Sequence, residues 1–321
     1  MSEPTGVLLS VLGAIGSTPM VALDRLTKSL PGRIYLKLEF FNPGYSIKDR
    51  IALRIIEHAE RDGRLKPGGT VVELTSGNTG TGLAVVCAVK GYRLIAVMSE
   101  GNSVERRRML KALGAQVELV PQAVGSLPGQ VSGQDLALVE DRTHELVEQL
   151  GAFRADQFHN PSNVSAHQFG TAAEIIEQTR GQIDAFVGTV GTAGTFMGIA
   201  RALKAHNSAI RCIVVEPAGA PILAGQPVTN PAHKIQGAGY GMIPPQWDAA
   251  FCDDYLAVSD EDAIATTRKL AGDEGIFAGF STGANVAAAL SVARQSPPGY
   301  VIVTTANDSG LKYLSTDLFP E

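Results

Sequence analysis

Apolar and polar residues recur along this chain with two different periods, and the switches between them mark its elements. Ile34 to Glu39 alternates at every second position, as a strand with one buried face does. From Ser46 the period lengthens, with Ile51, Ile55 and Ala59 at four-residue steps up to a stop at Gly63, which predicts a helix. The exchange repeats down the chain. Further strands are predicted at 70–74, 94–98, 117–120, 185–190, 210–215 and 300–304, and helices at 83–90, 106–113, 135–150, 164–179, 196–204, 260–272 and 284–293. Strands and helices alternating through short connections imply a parallel sheet covered by helices on both faces. Two stretches break the rhythm: Pro217 to Gly241 is rich in loop residues, and Pro121 to Gln134, carrying Gly125, Pro128, Gly129 and Gly133, reads as a flexible surface loop longer than such connections usually are. Two α/β lobes, 1–152 and 153–321, with a cleft between them and a boundary near Gly151 to Asp156, are the economical arrangement.

Composition narrows the function classes. At 321 residues the chain is long enough for two lobes of ordinary domain size. A formal charge of −5 without a basic run argues against a nucleic-acid or membrane-surface partner. No apolar run approaches the roughly 18–20 residues of a membrane span, and Met1 to Ser10, interrupted by Pro4 and Gly6, lacks the charged-then-apolar pattern of a leader, so a soluble cytoplasmic protein is expected. Cys87, Cys212 and Cys252 are few and widely spaced, and read as packed thiols rather than metal ligands.

Chemistry concentrates in four turns. Asn42, Pro43 and Gly44 break the preceding element, and Ser46 with Asp49 three residues on reads as a capping box, which places Lys48 in a first helical turn. The macrodipole disfavours a cation there, so Lys48 is either a solvated surface lysine or one whose amine must be neutral and nucleophilic. Gly191-Thr192-Ala193-Gly194-Thr195 joins a strand to a helix with glycines and hydroxyls, as a cup for a single monoester phosphate does, or else is a tight packing turn. Thr75-Ser76-Gly77-Asn78-Thr79-Gly80 is a second such turn, suited to a carboxylate, and Gly279 to Gly283, with Ser281 and Thr282, is a third. Three turns able to hold an anion or a ring, with an oddly placed lysine, fit pyridoxal 5'-phosphate bound to Lys48 as an imine.

These motifs also carry a family resemblance. Asn42 to Arg50 resembles the N-P-G-x-S-[VI]-K-D-R segment of the cysteine synthase (O-acetylserine sulfhydrylase) family, Thr75 to Gly80 its T-S-G-N-T-G loop, and Gly191 to Thr195 its G-T-G-G-T loop. His233 to Gly237, Glu274-Gly275-Ile276 with Gly279-Phe280-Ser281, and Tyr313 to Thr316 match later landmarks in the family's order, across nearly the whole chain. The resemblance implies a two-lobed, three-layer parallel-sheet fold, the tryptophan synthase β-like fold type II of pyridoxal phosphate enzymes, with the active site in the inter-lobe cleft and residues before about 40 packed on the second lobe. It implies that Lys48 carries the cofactor and serves as base, that Asn78 meets the ring hydroxyl, that Gly191, Thr192, Ala193, Gly194 and Thr195 hold the phosphate, and that Ser281 faces the pyridine nitrogen. Thr75, Ser76, Gly77, Thr79, Gln157 and Gly237 then bind substrate.

The implied reaction is β-replacement on an activated serine of the O-acetylserine or O-phosphoserine class, through an enzyme-bound aminoacrylate, with sulfide adding to give cysteine or another nucleophile giving a related β-substituted alanine. A serine or threonine dehydratase, or a non-catalytic regulatory homologue, keeps the same scaffold. The resemblance also implies a homodimer and, as in some members, docking of a serine acetyltransferase C-terminal peptide. Departures from the family bear on substrate choice. Tyr45 stands where many members have a small residue, and the segment 121–134 is longer. Gly170 to Glu174 differs from the family's T-T-G-P-E, and Ala193 replaces the middle glycine of the phosphate loop, which is tolerable if its φ is below zero.

Overall fold

The computed structural model describes residues 6–75, 77–126, 131 and 133–320. The chain forms two compact units, one of Met1–Ile15 with Asn42–Ser162 and the other of Gly16–Phe41 with Asn163–Glu321.

The first unit is built on strands β3 (Thr70–Leu74), β4 (Arg93–Ser99), β5 (Gln116–Val120) and β6 (Phe153–Arg154), in the order β5-β4-β3-β6, all parallel. Its helices are α1 (Lys48–Arg61), α2 (Asn78–Lys90), α3 (Val104–Ala112) and α4 (Gly133–Leu150). Val72, Ile95, Val97 and Val120 pack with Val139 and Leu146 of α4 on one face. Helix α2 is buried from Thr79 to Cys87, which explains why its sequence is small and apolar all round rather than amphipathic.

The second unit holds six strands in the order β1-β2-β10-β7-β8-β9, namely β1 (Met20–Ala22), β2 (Arg33–Leu38), β7 (Ala185–Thr189), β8 (Arg211–Pro217), β9 (Asp254–Val258) and β10 (Val301–Ala306). Among the described strands of this sheet only the edge strand β1 runs antiparallel to its neighbour; the other pairings are parallel. Helices α5 (Ser162–Ala166), α6 (Ala172–Gln178), α7 (Gly194–His206), α8 (Asp260–Glu274) and α9 (Phe280–Gln295) follow in the chain. Adjacent residues of the inner strands serve opposite cores. Val187, Ile213 and Ile302 pack with Ala284, Ala288 and Leu270 from α9 and α8, whereas Phe186, Val214 and Val303 pack with Phe196, Leu203 and Ile175 from α7 and α6. Strands buried on both faces read as continuous apolar runs, and this is the three-layer α/β arrangement that the alternation of elements implies.

Both sheets reverse direction beside one strand. In the first, β4 and β5 lie on one side of β3 and β6 on the other; in the second, β8 and β9 lie on one side of β7 and β10 on the other. In open parallel sheets such switch points leave a crevice beyond the carboxyl ends of the two strands that flank them.

Three features depart from the sequence expectations. The helix expected over 164–179 is interrupted by a π-turn at His167–Thr171, between α5 and α6. Strands β1, β6 and β9 are additional. Pro121 to Ser126, expected to be flexible, is tied down, because the fully buried Asp135 accepts the Ala123 N–H at 2.7 Å and the Ser126 hydroxyl at 3.0 Å; residues 127–130 and 132 lie outside the described residues.

Candidate active site

In the first unit the Asn42–Tyr45 turn, closed by Tyr45 N–H to Asn42 carbonyl at 2.8 Å, delivers the chain into α1. Lys48 is the first residue of that helix and is half-buried. The capping box differs from expectation. Ser46 Oγ accepts the Lys48 N–H at 3.2 Å, but the buried Asp49 carboxylate turns back past Ser46 to accept the N–H of Gly44. An anion in the first turn suits the helix dipole, and here it also fixes the approach of the lysine loop. Tyr45 holds a left-handed backbone, φ +62, with its ring about half exposed.

Thr75 to Gly80 leaves β3 at the first switch point. Helix α2 starts at Asn78 without a side-chain cap, and Thr75 and Thr79 are buried. Gly82 brings this helix against the lysine turn: a Cβ there would lie 3.0 Å from the Lys48 carbonyl oxygen and 3.1 Å from Asp49 Cα. Gln157 follows β6, the other strand of the same switch point, and its Oε1 accepts the Thr79 hydroxyl at 2.6 Å. Thr75, Gly77, Asn78, Thr79 and Gln157 are therefore gathered around the start of α2, with the Lys48 backbone packed beside it; Ser76 lies outside the described residues.

In the second unit Gly191 to Thr195 leaves β7 at the other switch point and opens α7, again without a side-chain cap. Ala193 is buried with φ +69, in the left-handed region, contrary to the expectation of a negative φ. Its Cβ is accommodated at the cost of backbone strain. Neighbours brace the loop. Asn163 Nδ2 donates to Thr192 Oγ1 at 2.9 Å, and the buried His167 lies 3.2 Å from Thr195 Oγ1 through Nε2 and 2.9 Å from Thr171 Oγ1 through Nδ1. Gly237 crosses the mouth of the loop, where a Cβ on Gly191 would lie 2.2 Å from its carbonyl oxygen. A cradle that a Cβ would fill, an uncapped helix N-terminus and two threonine hydroxyls make a donor set suited to a phosphate monoester.

Ser281 occupies the first turn of α9, buried, and its Oγ accepts from Asn307 Nδ2 at 3.2 Å. Asn307 follows β10, the second strand of that switch point, and also reaches Thr189 Oγ1 at 3.4 Å just ahead of the phosphate-type loop. Gly191, Thr192, Ala193, Gly194, Thr195, Gly237 and Ser281 thus belong to one connected region of this unit. Asn163, His167 and Asn307 escaped the sequence reading; the polar tract Asn160 to Asn163 and the Asn307-Asp308-Ser309 run after an apolar strand were the available signals.

Two further carboxylates are buried behind these loops. Glu73 on β3 has its carboxyl pushed up to about 7, chiefly by burial. Glu216 at the end of β8, raised for the same reason, accepts the N–H groups of Leu223 and Ala224 at 2.8 and 3.0 Å. Burial pushes the thiols of Cys87 and Cys212 up to about 12, and among the described residues no group of three or more His, Cys, Asp or Glu is placed to hold a metal ion.

Comparison with known proteins gives one consistent answer. The family of pyridoxal-phosphate dependent enzymes matches residues 11–308. A cysteine synthase of Staphylococcus aureus is 42% identical over 307 residues, covering 95% of this chain and 95% of its own length. An O-ureido-L-serine synthase of Streptomyces lavendulae is 43% identical over 311 residues, covering 97% of this chain and 92% of its own. The crystal structure of O-acetyl serine sulfhydrylase isoform 3 from Entamoeba histolytica superposes with a TM-score of 0.90 at 38% identity, covering 99% of this chain and 94% of that one.

Proposed function

The chain belongs to the family of pyridoxal-phosphate dependent enzymes, and from that premise we propose that it catalyses β-replacement on an activated serine, with O-acetylserine as donor and sulfide as nucleophile. The observation that carries the β-replacement class is the environment of Ser281, and the choice of O-acetylserine and sulfide follows the cysteine synthase and O-acetyl serine sulfhydrylase relatives. Its hydroxyl oxygen already accepts the Asn307 amide, so its proton is directed to donate elsewhere. A neutral donor facing a pyridine nitrogen leaves that nitrogen unprotonated, which suits elimination and replacement at the β-carbon better than transamination.

Pyridoxal phosphate supplies the delocalisation that makes removal of the donor's α-proton feasible. The chain's own residues do the rest. Lys48 Nζ holds the cofactor and then moves the α-proton, a task that requires a neutral amine. Its position at the positive end of α1 disfavours the ammonium form and supports that role. The Gly191–Thr195 backbone with the Thr192 and Thr195 hydroxyls binds the phosphate, and Asn78 meets the ring hydroxyl. Thr75, Thr79 and Gln157 orient the donor carboxylate, and Gly237 bounds the substrate. A cytoplasmic homodimer, with docking of a serine acetyltransferase C-terminal peptide, completes the proposal and is checked by light scattering with and without that peptide. Among the described residues no helix is long and apolar enough to cross a membrane.

The test is to mix holoenzyme with O-acetylserine and sulfide and identify the product. Cysteine is expected; keto acid as the sole product with every donor and nucleophile would show a dehydratase instead. Lys48→Ala is expected to abolish the visible absorption of the lysine-bound cofactor, and an unchanged band would reassign that lysine. The 43% identity to an O-ureido-L-serine synthase favours a second reading of the nucleophile, a hydroxyurea-type oxygen nucleophile in place of sulfide. Competition between the two nucleophiles on one donor decides it.

A further inference from the structure

Strand β6 is two residues long and stops pairing where Glu73 stands on β3. The parallel register matches Val71 with Phe153 and Val72 with Arg154, so Ala155 would come next beside Glu73. Instead the chain turns away through Asp156, φ +47, and the Asp156 N–H donates to Glu73 Oε2 at 2.8 Å. The Gln157 N–H faces the same carboxylate and helps to lower its pKa. A buried side chain thus takes over the Asp156 amide where the ladder ends. Gln157, the next residue, is held between that anchored turn and the bond of its side chain to Thr79 at 2.6 Å.

A leucine at position 73 would avoid the desolvation of a carboxylate that is only 2% exposed. The carboxylate's use is the direction it imposes on the loop. We propose that Glu73 is a positioning residue for the donor amino acid: as a carboxylate it clamps the Asp156–Gln157 turn so that Gln157 and Thr79 face the donor's carboxylate, and as a carboxylic acid it releases part of that clamp. The inference rests on the reading of Thr79 and Gln157 given above. Protonation removes the negative charge from the acceptor of the Asp156 N–H and adds a hydroxyl that needs an acceptor of its own, so the bond falls from charge-assisted to neutral and the clamp weakens.

The charged groups facing Glu73 are Arg154 on β6, which lowers its pKa, and Asp156 in the turn, which raises it. Arg154 is anchored from α4 by Glu140 at 2.8 Å and lies 3.0 Å from His144 of the same helix. Burial outweighs these and brings the titration of Glu73 to about pH 7.

The experiment titrates holoenzyme with O-acetyl-L-serine, following the visible spectral change between pH 6 and 8.5, in wild type, Glu73→Gln, Gln157→Ala and the double variant. Loss of a hydrogen bond to a charged group corresponds to about a tenfold weakening. The donor's α-ammonium must lose its proton to bond to the cofactor, which imposes one slope on all variants alike; beyond that common slope, wild type is expected to bind the donor about tenfold more weakly at pH 6 than at pH 8, and this extra step is the one read. Glu73→Gln should be about tenfold weaker at pH 8, lack the pH step and keep the resting cofactor band. Gln157→Ala should lose the step as well, and the double variant should be no weaker than the worse single one. A step that persists in Glu73→Gln, which would point to His144 or another group, or additive losses in the double variant, overturns the role of Glu73 while leaving the site reading intact. Should Glu73→Gln not fold, Gln157→Ala decides: loss of the step supports the clamp, and its retention overturns it. A wild-type holoenzyme that responds to no serine-type donor overturns both the site reading and this inference.

Discussion

Ala193 is the residue where the local rule and the structure disagree most directly. A glycine costs nothing in the left-handed region, whereas an alanine there is strained by about 1–2 kcal/mol, and the chain keeps the alanine at φ +69 as the N-cap of α7. The neighbouring Thr192–Asn163 and Thr195–His167 contacts over-determine the loop and hold it in shape regardless. Ala193→Gly should relieve the strain while adding roughly 0.4–1 kcal/mol of unfolded-state entropy, for a net gain of about 1 kcal/mol. Urea unfolding of the cofactor-free protein measures it, and a midpoint equal to or below wild type would show that the loop is unstrained. Tyr45, at φ +62, carries the same kind of cost one turn ahead of Lys48. An aromatic ring kept half exposed on a strained backbone, where a small residue would be cheaper, marks it as the first position to exchange when probing nucleophile choice.

At the level of elements, the parts legible in the sequence were those with a long period or an obligatory turn. The runs that became β7, β8 and β10 were visible because both faces are buried, and the starts of α2, α7 and α9 because glycine and hydroxyl residues concentrate where a strand passes into a helix. What escaped has no local period. Strands β1 and β6, of three and two residues, exist because a neighbour's edge was available, and the π-turn at His167–Thr171 serves to aim His167 at Thr195. Lys37 was equally silent. It is fully buried on β2 and bound by the Thr18 carbonyl, Gln178 and Glu174, so a charge within an apolar strand closes the edge where β1 is added. Glu73 belongs to the same class, and its burial has a thermodynamic consequence. The folded chain retains that proton up to about pH 7, whereas an unfolded glutamate releases it near 4.5. Between those values the native state binds more protons than the unfolded one, so the stability contributed by this group falls as pH rises and is lost above about 7, by up to about 3 kcal/mol. Unfolding midpoints of wild type and Glu73→Gln from pH 5 to 8 should diverge in favour of the glutamine as pH increases; a constant gap would show that Glu73 is already ionised at pH 5.

The residues that the proposed function invokes come from both units: Lys48 and Asn78 belong to the first, and Thr192, Thr195 and Ser281 to the second. Each unit contains a built-in reporter. Cys87 lies inside α2 of the first and Cys212 inside β8 of the second, both essentially without solvent contact and with thiols pushed up to about 12. A thiol so placed reacts only when its own unit opens, since both access and the thiolate fraction are negligible in the native state. A ligand that binds only the folded form lowers the opened population by a factor of one plus the ratio of its concentration to its dissociation constant, about 2.7 kcal/mol or roughly a hundredfold at 100 times its dissociation constant. Pyridoxal phosphate added to the cofactor-free protein should therefore protect Cys87 and Cys212 together against a thiol reagent at pH 8, read peptide by peptide by mass spectrometry. Lys48→Ala should weaken that protection at both cysteines in parallel, because the phosphate loop alone then retains the cofactor. Protection confined to Cys212 in the wild type would mean that the phosphate loop binds the cofactor without the lysine-bearing unit, and the division of labour between Lys48 and Thr192 would have to be abandoned.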